Sequence, residues 1–334
     1  MLLKPASTFL FRIFRRSPFA FLLASVALLA PLAGAQVYPG KPVRMLVPFP
    51  AGGPNDLAVR PLALKLAELL GQPFVVDNRA GANGVIGTDY VVKSPPDGYT
   101  LLVISSSFTI NAAMSAKLPF DPVRDLAAVS SIATSHIMLV VNPTVPARSV
   151  KEFVALATAR PGRLTYGSSG TGGSLHLGGE LLSLSTGIRM MHVPYKGAIL
   201  ALTDVMGGHV DSMFVAAPAA LPQVQAGKVR ALAVASGQRA PYLPDIPTFA
   251  ESGFPEVRLD SRYGILAPAA TPRETIGRLN AAIARALGTA EVRERYAALG
   301  MEAAAGTSQE YTSYLRDDIA KWRKVVAAAK LQVQ

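Results

Sequence analysis

Two stretches carry the residue types to hold an anion without a formal cation. PFPAGGPND at 48–56 lies between the apolar run VRMLV and the helix-like LAVRPLALKLAELLG, and GSSGTGGSLH occupies 167–176. Glycines let backbone N–H groups approach a ligand closely. A helix start adds unsatisfied donors and the positive end of a dipole. In the first stretch a helix beginning near Asn55 or Asp56 would leave such donors facing a ligand. Asp56, wrong in sign for an anion, would cap that helix or hold the loop. A plain N-cap with a tight turn accounts for the same residues, and the residues alone do not choose. In the second stretch Ser168, Ser169, Thr171 and Ser174 add donors and acceptors at another helix start.

Covalent chemistry finds less support. The second stretch is not a P-loop, since no Gly-Lys-Ser/Thr follows, and it lacks the third glycine of a dinucleotide fingerprint. It fails the nucleophile pattern G-x-S-x-G because His176 stands where the last glycine belongs. The four histidines, His136, His176, His192 and His209, are not spaced as metal ligands. Of these His176 is best placed to help a site. No Ser/His/Asp set and no carboxylate pair stands out. The residues favour reversible binding of a small anion, with no cofactor.

The elements that must position these loops alternate. VRMLVPF, FVVDN and YTLLVIS read as strands, then RLTYGSS, RMMHVPY, VDSMFVA and VRALAVAS form a second set. Helical patterns separate them, so βαβ units and a mostly parallel sheet are expected in two α/β halves. In open α/β sheets ligands sit beyond the carboxyl ends of strands. PFPAGGPND, NRAGANGVIG, SSSFTIN, GSSGTGGSLH and PYKGA all follow strands at that end, and together would line a cleft with amides and hydroxyls. Near the C-terminus TPRE predicts a helix with Thr271 as N-cap, Pro272 first and Glu274 third. TSQE at 307–310 repeats the logic ahead of Tyr311, Leu315, Ile319 and Trp322, a stripe read as core.

Composition bounds the partners. The chain has 334 residues, half of them hydrophobic, no cysteine and a formal charge of +11. Lys4, Arg12, Arg15 and Arg16, then FAFLLASVALLAPL, then AGA at 33–35, read as a signal peptide over 1–35. Its removal takes away four cations and no acids, leaving +7. Without cysteines, disulfides and thiolate metal sites are excluded, and an exported chain without them suits a bacterial periplasm. The basic residues are scattered singly, which argues against nucleic acid and leaves small anions as the partner class.

PFPAGGPND, NRAGANGVIGTDYV, PPDGYTLL, GSSGTGGSLHL, VPYKGAILALTDVMGGHVD, KVRALAVAS, PDIPTFAESGFP and YGILAPAATP occur here in this order. In that combination the chain resembles the periplasmic solute-binding proteins of tripartite tricarboxylate transporters, the Bug receptors, over nearly its whole mature length. The resemblance implies an α/β, type II periplasmic-binding-protein fold in which two lobes close on a small carboxylate. Lobe 1 would take 36–135 and 260–334, and lobe 2 would take 136–259. It implies a monomeric receptor that is not an enzyme and hands its ligand to membrane transport subunits. A ligand-sensing subunit for a membrane kinase and an exported enzyme on the same scaffold are the alternatives.

The ligand carboxylate would meet Gly52, Gly53 and Asp56 in one lobe, and Ser168, Gly170, Thr171 and His176 in the other. Phe49, Asn83, Ser106, Tyr195 and Arg262 complete the expected contacts. A β-branched residue at Gly53 would block the amide approach and resist positive φ. Three departures from the family pattern stand out: Ala198, Ile199 and Leu200 after VPYKG, Val215 and Ala216 after VDSMF, and Arg262 before YG. The first two make one wall apolar and argue against an amino-acid ligand. Arg262 would add a cation near the mouth, or point to solvent.

Overall fold

The computed structural model describes residues 38–115 and 117–328. The expected signal peptide lies outside the described residues. The chain divides into two compact units, Met1–Gly40 and Lys41–Gln334, and the sheet and its cavities belong to the second. Among the described residues no helix is long and apolar enough to cross a membrane.

In the first half β1 (Val43–Val47) pairs in parallel with β2 (Phe74–Asn78) and β3 (Thr100–Ile104). Between them run α1 (Pro54–Leu70) and α2 (Val85–Val92), and α3 (Ser106–Met114) follows β3. The apolar period of α1 buries Val59, Leu62 and Leu66, and Gly71 ends the helix in the left-handed conformation at φ 70°. Pro61 sits inside this helix.

The second half repeats the pattern. β5 (Thr165–Ser168) pairs in parallel with β6 (Met191–Pro194) and β7 (Ser212–Ala216). The helices here are α4 (Val150–Ala159), α5 (Ser174–Thr186), α6 (Ala198–Met206) and α7 (Ala217–Gln225), and β8 (Arg230–Val234) follows.

The expectation of a mostly parallel sheet is corrected by two long strands. β4 (Leu126–Val141) and β9 (Asp260–Pro268) are antiparallel to each other. β9 also runs antiparallel to β3, and β4 runs antiparallel to β7, β8 and the short β10 (Met301–Ala303). β4 joins the halves: as far as His136 it pairs with β9, and from Ile137 onward with β7. Its sequence, LAAVSSIATSHIMLVV, is buried on both faces and so shows no alternation. Its serines are satisfied from afar: Ser130 and Ser131 donate to the carbonyls of Gly306 and Ala304.

The C-terminal helices are α8 (Arg273–Leu287), α9 (Ala290–Ala298) and α10 (Ser308–Ala328). α8 and α9 pack on α1, and α10 packs on α3 and β4. The capping box at 307–310 forms as expected, with Glu310 N–H donating to Thr307 Oγ1 and Thr307 N–H to Glu310 Oε2. At 271–274 it does not. Pro272 has ψ 138°, outside helical space, and is itself the N-cap, which leaves the Thr271 hydroxyl buried without a partner. Tyr311, Leu315, Ile319 and Trp322 are buried, as core residues should be.

Candidate functional site

The loop between β1 and α1 is held by a carboxylate. Gly52, left-handed at φ 76°, donates its N–H to Asp56 Oδ2 at 2.9 Å, and Arg60 Nε donates to the same oxygen at 2.8 Å. Gly53 has an ordinary φ of −76° and turns its N–H toward the Pro50 carbonyl at 3.3 Å. So the positive φ belongs to Gly52, and both glycine amides are engaged within the loop. Pro54 has no N–H, and among the described residues nothing accepts from the amides of Asn55 and Asp56 at this helix start. Asp56 is 2% exposed. Burial pushes its carboxyl up, but hydrogen bonds from Arg60, Gly52 and Asn78 outweigh that and hold it below the ordinary carboxylate range. Of the two roles open to Asp56, holding the loop is the one observed.

The loop between β5 and α5 is held by imidazoles. The Ser168 hydroxyl lies 2.7 Å from His192 Nε2 and accepts from the Gly170 N–H at 3.1 Å. Gly172 N–H donates to His176 Nδ1 at 3.3 Å. The two imidazole centroids are 4.2 Å apart, and Tyr166 stacks against His192 at 4.9 Å. Burial drives both rings down to about 4, so they are neutral near pH 7. Ser169, between the two pinned points, has a buried hydroxyl with no partner.

Ser169 faces a small cavity of about 30 Å³ between the halves. Five helix N-termini line it: Gly53 to Asn55 of α1, Ser105 and Ser107 of α3, Ser174 and Leu175 of α5, Ala198 of α6 and Ala216 before α7. Phe49 and, from β9, Ser261 and Tyr263 close it. None of its lining residues is Lys, Arg, Asp or Glu. Across the cavity the hydroxyls of Ser107 and Ser174 are 2.8 Å apart. Of the residues expected to make one wall apolar, Ala198 and Ala216 line the cavity; Ile199 and Leu200 do not, Leu200 being exposed on α6, and Val215 is fully buried.

A second contact between the halves closes beside this cavity. Asn83, left-handed at φ 48°, presses its side chain against the second loop, so that a Cβ on Gly173 would lie 2.9 Å from its amide atoms. Both polar atoms of that amide are buried without partners. Asn83, Gly170, Thr171 and Tyr195 line an outer cavity of about 450 Å³, with Lys117 and Lys196 at its edge.

The expected residues thus divide. Phe49 and Gly53 line the inner cavity, and Asn83, Gly170, Thr171 and Tyr195 line the outer one. Gly52, Asp56, Ser168 and His176 lie beneath the two loops and hold them. Ser106 and Arg262 belong elsewhere. Arg262 N–H donates to Ser106 Oγ at 2.9 Å, and its guanidinium stands 4.4 Å from the Tyr314 ring centroid in a separate cavity of about 550 Å³. Strand alternation explains this: Ser261 and Tyr263 face the inner cavity, so Arg262 faces away. Asn55, Ser105, Ser107 and Ser169 also line the inner cavity, of which the sequence offered Asn55 only as a helix start and Ser169 only among the polar groups of the second loop. Each serine is one residue from one singled out in the sequence, and one residue of offset turns a side chain by about 100° in a helix and to the other face in a strand.

The family model for the tripartite tricarboxylate transporter family receptor matches residues 58–331. Over 314 residues the chain is 38% identical to Protein BugT of Bordetella pertussis, covering 93% of this chain and 96% of that protein. Among solved structures it is similar to an R. palustris protein with adipate (TM-score 0.85, 35% identity, 88% of this chain and 98% of that one). It is likewise similar to MatC from Rhodopseudomonas palustris with bound malate (TM-score 0.83, 30% identity, 86% and 100%). It is also similar to the periplasmic binding protein BugD (TM-score 0.86, 29% identity, 89% of this chain and 100% of that one), and the fold is the α/β, two-lobe one of that class.

Proposed function

The chain belongs to the tripartite tricarboxylate transporter receptor family, and from that premise we propose that it is an exported periplasmic receptor that binds a small carboxylate and delivers it to membrane transport subunits. The observation that carries this reading is the inner cavity, where five helix N-termini and the unpartnered Ser169 hydroxyl converge without a charged side chain. A helix N-terminus favours a nearby anion by about 0.3–1 kcal/mol, and by up to about 2 in partly buried geometry. Several together supply the affinity that a cation would otherwise give. The amide of Asn55 and the hydroxyls of Ser105, Ser107 and Ser169, all on the cavity lining, are the contacts we assign to the carboxylate. An amino acid is disfavoured, because no lining carboxylate awaits its ammonium.

Lobe 1 is assigned to 36–135 and 260–334, and lobe 2 to 136–259. The exchange of partners along β4 between His136 and Ile137, and the start of β9 at Asp260, support these limits. Binding and release, with no chemical step, need nothing further from these residues.

A thermal-shift panel of mono- and dicarboxylates including adipate and malate tests the binding role. A ligand at a hundred times its Kd stabilises the fold by about 2.7 kcal/mol. A panel in which no carboxylate moves the Tm and a neutral sugar raises it defeats the reading. Uptake of the identified ligand by cells lacking this receptor separates delivery from sensing, since a sensor's loss leaves constitutive uptake intact.

A further inference from the structure

The second-lobe loop is pinned on both sides of Ser169. On one side Ser168 is bonded to His192, and on the other Gly172 N–H is bonded to His176 Nδ1. Gly172, at φ 81°, is left-handed, so the direction of its N–H is a feature of this particular loop geometry. The second pin has a strict requirement. Nδ1 can accept only while it carries a lone pair, so the ring proton must be on Nε2, which lies 3.7 Å from Glu180 Oε1. A proton on Nδ1 would set two N–H groups head to head and push Gly172 away.

The groups facing the His176 ring come from three elements. His192 of β6 is 4.2 Å away, Glu180 comes from α5 itself, and Tyr166 of β5 stacks at 6.4 Å and donates its hydroxyl to Glu180. Glu180 alone would draw a proton onto the ring. Burial opposes it and wins. Among the described residues no lysine or arginine bonds to either imidazole.

We propose that His176 is a positioning residue for the second-lobe anion loop, and that this loop holds a ligand only while the ring is neutral. The proposal rests on the carboxylate-receptor reading above. His176 touches no ligand; it acts through the Gly172 amide, which in turn fixes where the Ser169 hydroxyl and the start of α5 stand. Bound ligand and ring proton therefore exclude each other, and by linkage each must weaken the other.

Two variants separate positioning from packing. His176→Asn keeps an oxygen acceptor where Nδ1 stands and cannot titrate, whereas His176→Phe keeps the stacked ring without the acceptor. In calorimetric titrations with adipate at pH 7.5, the Asn variant should bind within about threefold of wild type. The Phe variant should bind about tenfold more weakly, the worth of roughly one hydrogen bond. In wild type, NMR titration of the His176 ring should show its midpoint moving down when adipate is saturating. Equal affinities for the Asn and Phe variants, or a midpoint that adipate leaves in place, overturn the proposal. Wild type whose Tm no carboxylate of the panel moves, while a neutral sugar raises it, overturns the carboxylate reading, and this proposal with it; if another carboxylate of the panel binds, the two variants and the ring titration are read with that one.

Discussion

The first anion loop is held by Asp56, whose carboxylate takes the Gly52 amide, and the second by His176 and His192, whose neutral rings hold Gly172 and Ser168. A carboxylate is the stronger acceptor, but it puts a negative charge next to a site for anions. Arg60 offsets that charge, bonded to the same oxygen at 2.8 Å. A neutral imidazole adds no charge and needs no counterion, but it must be kept from protonating, and burial beside Tyr166 does this. One loop thus depends on an ion pair and the other on desolvation, so they should fail under different conditions.

The largest effect should come from breaking the charged pin. Asp56→Ala frees the Gly52 amide and unpairs Arg60. Carboxylate affinity should fall about 10- to 100-fold, following the roughly 1.5–3 kcal/mol of hydrogen bonds to charged groups. Calorimetry reads this, and an affinity within twofold of wild type would show that the loop holds itself.

A smaller effect separates the serines of the second loop. Ser169→Ala removes an unpartnered buried hydroxyl, so the unliganded protein should keep its Tm while binding weakens by about tenfold, near 1.5 kcal/mol. Ser168→Ala should do the reverse to the fold, costing about 1 kcal/mol through the lost His192 bond. Paired thermal melts and titrations check the contrast. The same Tm loss in both variants would erase the distinction between a pin and a contact.

Acid should separate the loops. The histidines have folded pKa values near 4 against about 6.5 when unfolded, so the unfolded chain binds more protons between these values. Their contribution to stability is complete above about pH 6.5 and fades as pH falls toward about 4. Asp56 is depressed below its ordinary 3.8, so its contribution survives that window and is lost only at lower pH. Hydrogen exchange at pH 7 and pH 4.5 should show 168–176 losing protection while 50–56 keeps it. Loss in the opposite order contradicts the assignment of the pins.

The smallest effect is expected from Arg262→Trp. With its guanidinium over Tyr314, away from the inner cavity, the substitution should change affinity for a mono- or dicarboxylate by less than about 0.5 kcal/mol. Weakened binding of the dianion alone would bring Arg262 back to the ligand.

Much of this was legible in the chain because local rules produce it. The seven strands read from β-branched runs, the end of α1 at Gly71 and the capping box at Thr307 each depend on residues within a few positions. The loops that follow those strands converge as the carboxyl-end rule requires. β4 and β9 were not legible, because their pairing joins residues more than a hundred positions apart, as in Thr134 with Arg262.

By itself, then, the sequence determined which loops gather at the cleft and that glycine and serine would furnish them. Only the tertiary structure decided which serine faces inward, which amides are already taken, and that Arg262 lies behind the wall. The physical reason is parity and competition. A side chain's face changes with a one-residue offset, and an N–H is available to a ligand only if no acceptor elsewhere in the fold reaches it first. Asp56, Ser168 and His176 occur in the sequence as candidate ligand contacts, but in the fold Asp56 Oδ2, the Ser168 hydroxyl and His176 Nδ1 are each bonded within the protein.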